Sequence, residues 1–329
     1  MKTAGALRWT VAAAAIGAML TGAISFRADA QSDYMRGDGM PYDAFDRLPK
    51  IDLEVDGGII HTAFAPGEMT LPREKLLDWI RTSARAVTTY YGRFPVSSLR
   101  LLLVPVEGGR IRGGTTWGYR GAAIRIPLGR DATEDVLRRD WVMVHEMVHT
   151  ALPDMPDRYA WLSEGLAVYV EPVARAQAGD LSAREIWQAM MRDMPKGLPQ
   201  AGDEGLDNTP TWGRKYWGGA IFCLLADIEI RKRTNNRLGL QDAMRGVLAA
   251  GGNHEQDWRI ERVLAIADRA VGVDVLTRLH AEMGPKAVTP DLAALWHDLG
   301  LKRVGEDIEF DDTAPLAAIR KAITAPREQ

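Results

Sequence analysis

The chain has little cysteine and little net charge. The first excludes internal disulfides, and the second argues against a nucleic-acid partner. Cys223 is the only cysteine among 329 residues, so no internal disulfide can form and the stability must come from packing. Its apolar neighbours, Phe222 and Leu224, predict a buried side chain in place of a metal ligand or nucleophile. The 41 basic and 44 acidic residues leave a formal net charge of −3. Without a basic stripe interleaved with aromatics, no nucleic-acid partner is predicted.

Long apolar runs are also missing after the first thirty residues, which gives no support to a membrane-docking interaction protein. Within those thirty, basic residues precede an uncharged Ala/Gly-rich stretch at 9–26, and Ala-Asp-Ala at 28–30 fits a small-x-small cleavage site. The pattern predicts a secretory signal peptide over 1–30 and a bacterial protein that is periplasmic or secreted. An uncleaved membrane anchor is the alternative, because the stretch reaches the lower limit of a span. No cysteine follows it, which removes the lipoprotein alternative.

The remaining chain predicts a mixed first part and a helical second part, with no stable membrane insertion once the signal is cleaved. The expected division is an extended arm at 31–50, a mixed α/β lobe at 51–132, a helical lobe at 133–285 and an extension at 286–329 packed on that lobe. The oligomeric state is left open. Period-two and period-3.6 patterns predict a hairpin of 51–55 and 59–64, a helix at 72–91, a buried strand at 99–106 and an irregular edge strand at 113–118 leading into 122–127. The expected later helices are 134–152, 161–177, 182–193, 216–234, 239–250, 257–271, 273–283 and a short one within 315–324.

Residues typical of a helix start and a helix stop border the first of those later helices. Thr133, followed by two acidic residues, is typical of a helix start, and Pro153 is typical of a stop. Pro172 is expected to kink or end the next helix.

A His-Glu-Met-Val-His motif lies on the predicted 134–152 helix. His145 and His149 are four residues apart, so both imidazoles project from one helix face and can meet one tetrahedral Zn²⁺. Glu146 can then reach a zinc-bound water as a general base. The alternative is a surface helix with two incidental histidines. Glu164, separated from His149 by fourteen residues and on a helical segment, supplies a third ligand. Two His and one Glu leave one position open, which is typical of a catalytic zinc, one ion per chain.

These residues resemble the gluzincin metallopeptidases, in which such a motif is followed by a glutamate-bearing helix like the Trp-Leu-Ser-Glu-Gly segment at 161–165. The segment 216–231 resembles bacterial relatives of the glycyl aminopeptidase family and a Tyr-x-x-Gly-Ala element of the aminopeptidase N family. The resemblance implies an α+β, thermolysin-like zincin domain over roughly 50–285, with the motif helix at the junction of the two lobes. It also implies that Tyr216 donates a hydrogen bond to the oxyanion. Packing of Tyr216 against Trp212 or Trp217 is the alternative.

The chain departs from that family in two places. The connection from His149 to Glu164 is shorter than in aminopeptidase N relatives, and Thr116 occupies the place of the glutamate that binds a substrate's free amine there. The sequence therefore favours peptide-bond hydrolysis over strict aminopeptidase activity, with a peptide or protein as substrate. Gly114, Thr115 and Thr116 are candidates to bind it by strand addition.

The remaining polar candidates are weaker. Glu171, two helical turns beyond Glu164, is a candidate acceptor for the second N–H of a zinc-bound imidazole. Four other histidines have no ligand partner at useful spacing and are expected at the surface or at helix caps: His61, His254, His280 and His297. A protein that binds zinc and peptide without hydrolysis is the competing function, but it would not need Glu146.

Overall fold

A mixed sheet and a set of helices share one core in the computed structural model, which describes residues 34–35 and 39–327. The predicted signal peptide at 1–30 lies outside the described residues. A short helix α1 (Tyr42–Arg47) precedes strands β1 (Lys50–Val55) and β2 (Gly58–Phe64), helix α2 (Arg73–Tyr91) and strands β3 (Ser98–Val106), β4 (Thr115–Trp117) and β5 (Ala123–Gly129). The expected extended arm thus contains a helix, whose buried Tyr42 and Phe45 cover the sheet.

The sheet has the order β1-β2-β3-β5-β4. The predicted hairpin pairs antiparallel, with Ile51 opposite Thr62. Helix α2 connects the parallel strands β2 and β3, and β5 adds parallel to β3. The three-residue strand β4 pairs antiparallel with β5 at the edge, with Thr116 opposite Ile124. The irregular edge strand expected at 113–118 is therefore present, and among the described residues no strand pairs with its outer side.

The helices after the sheet agree with most of the expected ranges. They are α3 (Glu134–Arg138), α4 (Val142–His149), α5 (Ala160–Gln177), α6 (Ala183–Asp193), α7 (Gly219–Arg233), α8 (Leu240–Ala249), α9 (Ile260–Val271), α10 (Val275–Met283), α11 (Leu292–Asp298) and α12 (Ala317–Thr324). A hairpin of β6 (Leu301–Val304) and β7 (Asp307–Phe310), which the sequence patterns did not predict, separates the last two. Trp296 of the extension is buried, and Leu295 and Phe310 pack against the core, as expected.

The single helix expected at 134–152 is wrong, because the structure divides it into α3 and α4. Thr133 caps the first through its side chain, as predicted. Asp140 then interrupts the helix, and its carboxylate accepts hydrogen bonds of 3.0 Å from the backbone N–H groups of Val142 and Met143. These are bonds that a helix start leaves open, so the second helix begins anew there.

Helix α5 continues through Pro172 to Gln177, so the proline does not end it. Val170, Val173 and Ala174 are completely buried around the proline. Their packing offsets the roughly 3 kcal/mol that an interior proline costs a helix.

One continuous cluster of buried side chains extends from Leu53 to Ile323 and joins sheet and helices. The boundary between lobes at residue 132 therefore stays a prediction. Cys223 is free and buried in α7, as expected, and burial raises the pKa of its thiol. None of the helices in the described part of the chain combines the length and apolar character that a membrane span requires.

Candidate metal centre

The two histidines of the motif lie on α4, and their imidazole rings are in contact. His145 is buried, and its Nε2 atom is 3.2 Å from Nε2 of His149. The rings meet edge to face, at 4.8 Å between centroids. Asp140 determines the residue at which α4 begins. It therefore also determines the direction in which the His145 and His149 side chains project from the helix.

Glu164 enters from α5 and completes a three-residue group. Its Oε2 atom is 3.3 Å from His145 Nε2 and 3.5 Å from His149 Nε2. Apart from these two histidine contacts, Oε2 is buried without a hydrogen-bond partner among the described residues. In the described part of the chain, this is the one group of three or more His, Cys, Asp or Glu side chains that could hold a metal ion. Two imidazole nitrogens and one partnerless carboxylate oxygen fit the ligand types that zinc prefers.

The charges of this group favour bound cations. Burial alone would raise the pKa of Glu164, but His145 and His149 together hold the pKa well below its usual range. Burial alone would lower the pKa of His149, whereas Glu164 and Glu146 raise it above its usual value. The carboxylates therefore stabilise positive charge at this point.

Ser163, which was not predicted as a site residue, contacts the His149 ring on the side away from Glu164. Its Oγ lies 2.9 Å from Nδ1 of His149, so the nitrogen that faces away from Glu164 has a partner. Glu171, expected in such a role, instead accepts a 2.7 Å hydrogen bond from Arg175 Nη1. It lies close enough to Asp140, before the start of α4, for that carboxylate to affect its pKa. Ser163 could have been found from its place directly before Glu164.

The Glu146 side chain extends from α4 towards strand β4. Its side chain is buried, and its Oε2 atom accepts a 2.6 Å hydrogen bond from Thr116 Oγ1. Gly114, Thr115 and Thr116 all line the same cleft as the metal centre. The structure thus brings the three predicted substrate-binding positions to the centre, but turns the Thr116 hydroxyl towards Glu146.

Tyr216 lies on a single π-helical segment, Arg214–Gly218, just before α7. Its ring stacks on Trp212, at 5.8 Å between centroids, and lies nearly parallel to His145 at 6.5 Å. Both expectations for Tyr216 thus have a structural basis, because it packs on Trp212 and also lines the cleft. Burial, and then Glu164, raise the pKa of Tyr216 to about 12, so its hydroxyl stays a hydrogen-bond donor near neutral pH.

Two glycines allow α5 and the start of α7 to approach closely enough to place Tyr216 beside Glu164. A Cβ on Gly165 would lie 2.3 Å from Gly219 Cα, and one on Gly219 would lie 2.0 Å from the Trp161 carbonyl oxygen. Any larger residue at either position would separate the two helices.

Two cavities meet at the centre and share His145 and Tyr216. The polar cleft, of about 260 Å³, also contains Glu146, Glu164 and the β4 residues. The aromatic cavity, of about 510 Å³, is lined by side chains that are mostly large and apolar: Trp141, Val168, Ile186, Met190, Met194, Trp212 and Trp217. A ligand crossing the centre would therefore contact polar groups on one side and aromatic groups on the other.

His254 lies half-buried in the polar cleft, beside the carboxyl end of α4. Its backbone N–H donates to the Thr150 carbonyl. Burial, and then the proximity of His149, lower its pKa. No spacing in the sequence relates His254 to the motif, and a long-range contact brings it there.

Solved structures similar to this chain include an aminopeptidase N family protein and M1 zinc metallopeptidases, although no protein-family model and no curated protein matches it. An aminopeptidase N family protein from Idiomarina loihiensis matches with a TM-score of 0.58 at 14% identity, over 78% of this chain and 49% of that one. An M1 zinc metallopeptidase from Deinococcus radiodurans has a TM-score of 0.49 at 15% identity, over 74% and 53%. A variant of the latter bound to a Tyr-Ser-Ala substrate has a TM-score of 0.48 at 16% identity, over 74% and 53%.

The chain spans about half the length of these structures. The likeness to the Idiomarina protein shows that the described residues share its mixed helix-and-sheet fold. It agrees with the resemblance indicated by the motifs, and it concerns the fold alone.

Proposed function

We propose that the chain is an exported, zinc-dependent metallopeptidase that hydrolyses peptide bonds with Glu146 as general base. One observation carries the proposal: the His145, His149 and Glu164 ligand atoms converge from two helices, and the buried Glu164 Oε2 has no other partner. An orphaned buried carboxylate oxygen is costly unless a cation or donor meets it. A zinc ion at this point supplies Lewis acidity, which polarises a substrate carbonyl and acidifies a water molecule.

Glu146 has the position and surroundings that a general base needs. It lines the polar cleft directly beside the three ligand residues. Its carboxylate accepts a proton from the attacking water, and the resulting acid gives that proton to the amine nitrogen as the C–N bond breaks. A protein that only bound zinc would have no use for this carboxylate.

Tyr216 is proposed to donate its hydroxyl hydrogen to the carbonyl oxygen as that oxygen gains negative charge. The ring stacks on Trp212 at 5.8 Å and lies nearly parallel to the His145 ring at 6.5 Å. A fixed donor of this kind lowers the activation barrier, and removal of one such donor raises the barrier by about 2.7 to 4 kcal/mol.

The placement of α4 supports the thermolysin-like arrangement predicted from the sequence. Helix α4 contacts β4 and β5 on one side and the helices α2 and α5 on the other. The candidate ligands therefore lie between the sheet and the helices. A peptide would bind along the free side of β4 by strand addition, with a bulky apolar side chain in the aromatic cavity.

The export part of the proposal depends on the signal-peptide pattern at 1–30. A periplasmic or secreted location follows if the signal is cleaved after Ala30, and a membrane-anchored form if it is not. Amino-terminal sequencing of the protein purified from its native host distinguishes these two forms.

The decisive experiment is hydrolysis of a mixed peptide library by the zinc-loaded protein, a chelator-treated sample and the Glu146→Gln variant. We expect cleavage only by the first, with activity restored to the second by zinc. Glu261→Gln, an exposed glutamate on α9, is the matched control and should cleave as the wild type does. If the wild type binds one zinc ion per chain and cleaves nothing, the competing function, zinc and peptide binding without hydrolysis, is correct.

A further inference from the structure

Strand β4 touches the Glu146 side chain from two directions. The Thr116 Oγ1 atom lies 2.6 Å from Glu146 Oε2 and 3.0 Å from the Glu146 carbonyl oxygen. At Gly114, two residues earlier on the same side of the chain, an added Cβ would lie 2.4 Å from Glu146 Cγ and 2.9 Å from Oε1. One residue holds the carboxylate by a hydrogen bond, and the other makes room for it by having no side chain.

A hydroxyl group has one hydrogen to donate, and the contact distances indicate where it goes. A charged carboxylate oxygen at 2.6 Å is a stronger acceptor than a carbonyl at 3.0 Å. The Thr116 hydroxyl therefore donates to Oε2, and the Oε1 atom is left beside Gly114. Because a glutamate side chain has several rotatable bonds, this contact removes the freedom that would otherwise spread the carboxylate over many positions.

The contact is long-range, so the fold maintains it. Thr116 and Glu146 are 30 residues apart in the chain. Pairing of Thr116 with Ile124 fixes the strand to β5, and β5 and β4 both contact α4. The position of the carboxylate is thus set by the sheet as well as by its own helix.

We propose that Thr116 and Gly114 are positioning residues for the Glu146 carboxylate: the threonine hydroxyl orients it and the glycine leaves its space open. The inference rests on the proposed function, in which Glu146 is the general base. A base held in one orientation avoids reorganisation when it accepts the proton. The strand that borders the substrate cleft is then also part of the machinery that activates water.

Three substitutions test the inference. Thr116→Val keeps the shape and removes the hydroxyl, Thr116→Ser keeps the hydroxyl, and Gly114→Ala fills the space. Since Gly114 lacks a positive φ, alanine there acts by contact and not by backbone strain. We expect Thr116→Val and Gly114→Ala to lower kcat roughly 10- to 100-fold, part of what a general base contributes, with KM and zinc stoichiometry unchanged. Thr116→Ser should restore most of kcat.

The matched control is Thr88→Val, because the Thr88 hydroxyl also donates a hydrogen bond, to the Arg85 carbonyl oxygen, but lies on α2, away from the cleft. It should leave kcat unchanged. If Thr116→Val has the wild-type kcat, or if Thr116→Ser is as impaired as Thr116→Val, the inference is wrong.

A structural readout separates this inference from the proposed function. Crystal structures of the wild type and the two Thr116 variants should show one Glu146 carboxylate position when a hydroxyl is present and a displaced or multiple position in the valine variant. An unchanged carboxylate in Thr116→Val overturns the positioning role even if the protein hydrolyses nothing. A displaced carboxylate in an inactive protein supports the positioning role while refuting the peptidase.

Discussion

Arg175 donates a 2.7 Å hydrogen bond from Nη1 to Oε1 of Glu171, and both side chains are buried. Its Nη2 atom donates to the Arg138 carbonyl oxygen at 3.2 Å, just before α4 begins. Arg175 therefore connects helix α5, which carries Glu164, with the segment that starts the helix carrying both candidate histidine ligands. The spacing of the three candidate ligands depends on this buried connection.

Replacement of Arg175 by methionine should destabilise the protein and weaken zinc binding. The substitution leaves the buried Glu171 carboxylate without its cation, and at pH values above the Glu171 pKa of about 7 breaking such a buried ion pair costs about 3 to 5 kcal/mol. Urea unfolding of the metal-free protein measures the free energy, and a competitive zinc titration measures the affinity. Arg303→Met, at an exposed position on β6, is the control. Equal stability of both variants would show that the connection contributes nothing.

The stability of the protein should depend on pH through Glu171. Burial raises its pKa from 4.5 to about 7, the nearby charge of Arg175 opposing the rise. Between these values the folded state holds a proton that the unfolded state has released, so the contribution of Glu171 to stability is fully present below pH 4.5 and is lost as pH rises to about 7. Glu171→Gln should remove this decline, about 3 kcal/mol at most. Urea unfolding from pH 5 to pH 8 checks it, and parallel curves for the two proteins would contradict it.

Much of the metal centre could be predicted from local spacing, because one helix face determines where His145 and His149 point. The break before α4 could not, since apolar residues continue in helical phase across Asp140 and only its capping hydrogen bonds interrupt the helix. The location of His254 in the polar cleft and the contact of Thr116 with Glu146 both depend on how distant segments of the chain pack together. No periodic pattern in the sequence records such contacts.

Ser163 should matter for zinc affinity without contacting the metal. Its hydroxyl fixes the orientation of the His149 ring through Nδ1, and loss of such a partner typically costs 10- to 100-fold in metal affinity. We therefore expect Ser163→Ala to bind zinc roughly tenfold more weakly or worse, measured by competition with a chromogenic chelator. Ser97→Ala, at an exposed position before β3, should bind as the wild type does. A Ser163→Ala affinity equal to that of the control would refute the role.

The aromatic cavity should select bulky apolar side chains in the substrate. Trp212 is 60% exposed and Trp141 is 53% exposed, so both offer apolar surface that a ligand can cover. Burial of one large apolar side chain contributes about 1.5 to 3 kcal/mol, so Trp212→Ala should raise KM roughly tenfold or more for peptides with such a residue beside the cut bond. The KM of peptides with glycine there should be unaffected, and any loss of kcat caused by removing the ring that stacks on Tyr216 should be the same for both peptides. Tyr119→Ala, another exposed aromatic, is the control, and an equal rise in KM for both peptides would contradict selection by the cavity.

Cleavage should not require a free amino terminus. An α-ammonium group is held firmly only by a buried carboxylate, and at strand β4 the side chain nearest the base is the Thr116 hydroxyl, which is engaged with Glu146. Asp154 and Asp157 also line the polar cleft, but both are exposed, and an exposed ion pair contributes at most about 1 kcal/mol. Acetylation of a peptide should therefore change kcat/KM by less than about tenfold.

The measurement is a matched pair of peptides, free and acetylated, digested by the same enzyme and read by mass spectrometry. Internal cuts should appear in both. A loss of more than roughly 100-fold on acetylation would require a buried anchor for the amine and would make the enzyme an aminopeptidase. Because Asp157 is exposed, Asp157→Asn should leave that preference for the free peptide intact. If Asp157→Asn leaves the preference intact, the amine must bind to a carboxylate at the metal centre itself.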